Sequence, residues 1–194
     1  MVRTGARHFA YCLGDCVDRR IDRGIYCLPN AHQSVDRNNL QLDIAMTLTA
    51  LNQNSVAVVT GAAAGIGLAI SKRLATYGMT LVCLDKQADR LDAVGDALMA
   101  AGAREVFTSS ANVSDFDALI DLERIVADKF GGTDILINNA GIQPGSTMFG
   151  PMDEWLNVLG TNLWGVINGT KAFVPGMIKR GRPGIVVNTG SKQG

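Results

Sequence analysis

Thr60-Gly61-Ala62-Ala63-Ala64-Gly65-Ile66-Gly67 stands between a short β-branched run and an amphipathic stretch that begins at Leu68. Glycines so placed let the chain turn tightly and let the backbone approach a ligand. A helix opening there offers unpaired N–H groups and a partial positive charge, which together suit a pyrophosphate. Asp85 follows 18 residues beyond Gly67, at the end of the next apolar run, where a carboxylate can accept hydrogen bonds from ribose hydroxyls. The same carboxylate repels a 2'-phosphate, so Asp85 points to NAD rather than NADP, and neighbouring Lys86 is the group that would favour the phosphate. A plainer role for Asp85 is a helix N-cap, and both roles can hold at once. A glycine-rich turn alone is a weak signal; the strand before it and the helix after it give it weight.

From Ser55 onward, strand and helix patterns alternate, which predicts a parallel sheet with helices on both faces. Strands are expected over 56–60, 80–84, 105–108, 134–138 and 185–188, and helices over 68–77, 87–101, 115–130 and one long helix over 152–179. Val56-Ala57-Val58-Val59, Leu81-Val82-Cys83-Leu84 and Ile135-Leu136-Ile137 are near-continuous apolar runs, as strands buried on both faces require. Gly78, Gly102 and the Gly131-Gly132 pair stop the first three helices.

The spacing Gly61, Gly65, Gly67, combined with Asn138-Asn139-Ala140-Gly141 after the fourth strand, resembles the short-chain dehydrogenase/reductase family over residues 55–194. The resemblance implies a doubly wound α/β domain, the Rossmann fold, with five parallel strands in order 3-2-1-4-5 and two helices on each face. It implies a nicotinamide-dependent oxidoreductase that interconverts a small-molecule alcohol and a ketone. By the same resemblance Thr60, Gly61, Gly65, Ile66, Gly67 and Asp85 bind the cofactor, and Asn112-Val113, with Asn where Asp is usual, contacts adenine. Asn138 supports the central sheet, Ala140 and Gly141 line the cofactor ribose, and Asn139 is counted with the cofactor-binding residues. Asn162 and Ser191 match two of the four residues that complete the family's site. The other two, a Tyr about a dozen residues after Ser191 and a Lys four further on, one helical turn apart, would fall beyond Gly194. Tyr77, at the end of the first helix, and Lys171, a solvated helix charge, are rejected as substitutes. The chain is therefore expected to be a fragment, inactive by itself, whose fifth strand is an unprotected sheet edge and whose full-length form is a homo-oligomer. The alternative is a non-catalytic nucleotide-binding module or redox sensor. The Asn138 to Gly141 motif argues against a methyltransferase.

Composition narrows the partners. The net charge is zero, which removes the footprint of a nucleic-acid or anionic-membrane binder, and no apolar run approaches the roughly 20 residues of a membrane span. Charges break the first 30 residues, so no signal peptide is expected. Of four cysteines only Cys83 lies in the main body, which is not a disulfide framework, and a reducing cytoplasm fits. Residues 1–50 form an N-terminal extension without sustained periodicity, distinct from the 51–194 domain. Little fixed structure is expected before about residue 45, and Met46 is a candidate for the true start. His8, Cys12, Cys16, Cys27 and His32 collect there, but their spacing matches no common zinc finger, and no metal is expected.

Overall fold

The computed structural model describes residues 9–12, 25–27, 49–143 and 147–190. Its strands are β1 (Phe9–Cys12), β2 (Ile25–Cys27), β3 (Val56–Thr60), β4 (Thr80–Asp85), β5 (Glu105–Ser110), β6 (Ile135–Asn138) and β7 (Gly184–Asn188). Between them lie α1 (Gly65–Ala75), α2 (Ala88–Ala100), α3 (Phe116–Phe130), α4 (Met152–Leu159), a π-helical turn (Gly160–Trp164) and α5 (Gly165–Arg180). All pairings are parallel, and the sheet runs β2-β1-β7-β6-β3-β4-β5. Counted from β3, the strands of the main body stand in the expected order 3-2-1-4-5.

The period of two along each strand divides the core. Val56, Val58, Val82, Leu84, Leu136 and Val186 face α3 and α5, meeting Leu119, Leu122, Val126, Phe173 and Met177. Ala57, Val59, Leu81, Cys83, Ile135 and Ile137 face the other way, onto Leu74 and Ala75 of α1 and Leu91, Val94 and Leu98 of α2. Each face therefore carries two crossover helices. At the start of β6, buried Asp134 ties the sheet to the end of α5. Its Oδ2 accepts from Val56 N at 2.9 Å, and its Oδ1 pairs with Arg180 at 3.1 Å and Arg182 at 3.3 Å.

Two expectations need correction. The fifth strand of the main body, β7, is not an edge: β1 pairs along it from Phe9↔Gly184 to Cys12↔Val187, and β2 pairs with β1. The backbone N–H and C=O groups on the outer side of β7 need partners, and a short extended segment supplies them without any visible sequence period. Little fixed structure was expected in this segment, and these two stretches depart from that. The long helix expected over 152–179 is instead two α-helices joined by the π-turn, in which one extra residue per turn shifts the register.

Candidate cofactor site

At the C-terminal ends of the strands, a cleft of about 360 Å³ opens between the β3–α1 turn, the ends of β4 and β5, and the segment after β6. Of the expected cofactor residues, Gly61, Gly65, Ile66, Asp85, Asn112, Val113, Asn139, Ala140 and Gly141 line it. Thr60 and Gly67 are buried and do not line it. Gly61 has φ +68°, and a Cβ there would stand 2.8 Å from Ala140 Cα, so glycine is required by both conformation and packing. Gly65, at φ +54°, faces open space where a ligand can approach the backbone.

The N-terminus of α1 is left unsatisfied on the cleft side. Its N-cap, Ala64, makes no side-chain bond, and its first turn holds no acidic residue. The amides of Gly65, Ile66 and Gly67 donate to no backbone group among the described residues. These donors, with the helix dipole, fit an anionic diphosphate. Asp85 is half-buried, its Oδ2 accepting from Ala63 N and its Oδ1 from Gln87 N, each at 3.0 Å. It therefore anchors the glycine turn and the entry to α2 together, and it still lines the cleft.

Thr60 holds the far wall. Its Oγ1 accepts from Asn139 N at 2.9 Å and Ala140 N at 3.0 Å, while Asn139 Nδ2 donates back to Thr60 O at 3.1 Å. Asn139 thus turns its side chain under the glycine turn, a bracing contact that sequence reasoning did not foresee. Asn138 is buried, donating to Asn188 Oδ1 at 2.8 Å and Thr170 Oγ1 at 3.3 Å. It links β6, β7 and α5, in keeping with a support of the central sheet.

Asn162 sits in the π-turn. Its Oδ1 accepts from Ile142 N at 2.8 Å and its Nδ2 donates to Ile142 O at 2.9 Å, so one side chain satisfies both backbone groups of the residue after Gly141. Ser191 lies outside the described residues. Tyr77 accepts from Arg73 at 3.3 Å, and Lys171 rests over the Phe116 ring at 5.2 Å; neither lines the cleft. Missed from the sequence were Gln87, Ile142 and Thr161 on the cleft wall, and Asn168 behind it. Asn168 is buried and donates to Val113 O at 3.1 Å and Ser114 O at 3.2 Å, pinning the segment after β5. An asparagine inside an otherwise apolar helix face was the available signal. Among the described residues no group of three or more His, Cys, Asp or Glu could hold a metal. His8, Cys16 and His32 fall outside them.

The sequence model of the short chain dehydrogenase family matches residues 55–194. The chain belongs to this family. Among short-chain dehydrogenases, 1-deoxy-11-beta-hydroxypentalenate dehydrogenase of Streptomyces arenae is 37% identical over 143 residues, covering 72% of this chain and 50% of that protein. A short-chain dehydrogenase/reductase from Burkholderia phymatum, solved in complex with NAD, superimposes with a TM-score of 0.68 at 36% identity, covering 71% of this chain and 49% of that one. A metagenomic short-chain oxidoreductase in complex with NADP gives 0.66 at 33% identity, over 71% and 62%. The chain spans about half the length of the curated relatives it matches. One of these solved relatives thus holds NAD and the other NADP.

Proposed function

We propose that residues 51–194 are the cofactor-binding part of an NAD-dependent alcohol dehydrogenase or ketone reductase. The carrying observation is the cleft itself, with an uncapped α1 N-terminus for the diphosphate and Asp85 one strand away for the ribose. A bound nicotinamide supplies or takes the hydride. Asn162 holds the Ile142 backbone and so sets the wall beside Gly141. Ser191 is proposed to donate to the substrate oxygen. The Tyr and Lys that would move the proton are proposed to lie outside this sequence, so the 194-residue chain binds cofactor without turnover. Removing a positioned general acid costs about 10²- to 10⁴-fold in rate. Met152, Leu156 and Leu159 are exposed on α4, and we assign that face to the homo-oligomer contact of the whole protein.

The test is titration with NADH and NADPH. NADH is expected to bind tighter by roughly tenfold, because a 2'-phosphate would meet Asp85 as a like charge. Asp85→Ser should narrow or reverse that ratio. Tighter NADPH binding by the unaltered chain would mean that Lys86 outweighs Asp85, and failure of both to bind would sink the reading.

A further inference from the structure

The helical segment that runs from the π-turn into α5 turns one face to the chain after β5. Thr161, Gly165 and Asn168 stand at i, i+4 and i+7, the spacing of a single face. Thr161 lines the cleft. A Cβ at Gly165 would lie 2.6 Å from Val113 Cγ2, so the helix approaches Val113 as closely as a glycine permits. Asn168 is buried on the same face and directs its Nδ2 hydrogens to Val113 O and Ser114 O. The other hydrogen bonds of this stretch are local or precede it. Ala111 N donates to Asp85 O at 3.1 Å, which holds the end of β5 to β4. Ser114 N donates to Asn112 Oδ1 at 3.1 Å and Asp115 N to Asn112 O at 2.9 Å, closing a turn upon itself. Among the described residues, Asn168 supplies the hydrogen bonds that tie residues 112–114 to a distant element.

We propose that Asn168 is a positioning residue for the adenosine half of the cofactor, acting through the Val113 and Ser114 carbonyls on the cleft wall that follows β5. This rests on the reading of the cleft as a dinucleotide site. With the diphosphate at the α1 N-terminus and the ribose at Asp85, the adenosine end is the one beside β5, the next strand after β4. Asn162 serves the other end of the cleft, at Ile142. Two asparagines of one helical run thus brace the two ends separately. Without the Asn168 amide, two carbonyls facing α5 lack a donor. The segment regains partners only by moving toward water, and Val113 moves with it.

Calorimetric titration of the 194-residue chain with ADP, which carries adenosine and diphosphate without nicotinamide, and with NADH tests this. Asn168→Ala should weaken ADP binding by roughly five- to tenfold, and NADH by the same factor, because the loss falls on the part that the two ligands share. Asn168→Ser, which keeps one donor on a shorter arm, should fall between. Val126→Ala is the control: it removes buried volume roughly 16 Å along α3 from Asp115. It should lower the urea midpoint and leave ADP affinity unchanged. Unchanged ADP binding in Asn168→Ala, a much larger loss for NADH than for ADP, or an equal loss in Val126→Ala would overturn the proposal while leaving the dinucleotide site standing. Binding of neither ligand by the unaltered chain would remove the site and this inference together.

Discussion

Asn168 reaches from the middle of α5 to two carbonyls after β5, and one of them belongs to Val113, which is buried. Truncation leaves those acceptors without a donor, so Asn168→Ala should lower stability by about 1–3 kcal/mol. Urea unfolding should show a lower midpoint with an unchanged slope. Asn168→Asp should cost more, since a carboxylate would face two carbonyl oxygens. Cys83 makes a pH-dependent prediction. It is buried in β4, where desolvation pushes its thiol from 9.0 up to about 11, against a smaller opposing effect of the Ser71 hydroxyl. The folded state then holds its proton to higher pH than the unfolded chain does. Its stabilising contribution is full below pH 9.0 and is lost as pH rises through about 11. Cys83→Ala should flatten that part of the stability curve, by roughly 2–3 kcal/mol across the window. An identical pH dependence in both chains would contradict the assignment.

At the scale of elements, the π-turn decides where Asn162 points. A continuous α-helix over 152–180 would carry the same residues in another register, whereas the wider turn coincides with the paired bonds to Ile142. Asn162→Ala should leave the helical content of α4 and α5 nearly unchanged by circular dichroism. It should weaken NADH binding by roughly 5- to 30-fold, as two backbone groups beside Gly141 lose their partner. A variant with full affinity would show that the Ile142 segment holds its place unaided. Where the helices begin and end was largely readable. Asp115 caps α3 by accepting from Ala118 N, and Gly131 closes it at φ +76°, both through neighbours in sequence.

For the whole molecule, the decisive contact is the pairing of β1 along β7. A chain beginning at Met46 would present the outer edge of β7 to solvent, and Ile185-Val186-Val187 is an apolar template for another strand. Sedimentation velocity of this shortened chain is expected to show concentration-dependent association that the 194-residue chain lacks. A monomeric shortened chain at matched concentration would show that β1 is dispensable to the edge.

The alternation of strands and helices and the glycine turn were legible in the sequence because each rests on local periodicity or on a residue's own conformational freedom, while the strand order was implied by the family resemblance. Asp85 was legible as a spacing from the glycine turn, whereas Asn162 was indicated only by the family resemblance. The contacts that shape the cleft were not. Thr60 meets Asn139 and Ala140 from 79 and 80 residues away, Asn168 meets Val113 from 55, and Asn162 meets Ile142 from 20. Such bonds leave no period in the chain, and only the packing of the sheet and helices selects the partners. The covering of β7 by β1 is of the same kind: any extended segment can supply backbone hydrogen bonds, so tertiary proximity rather than side-chain pattern chose this one.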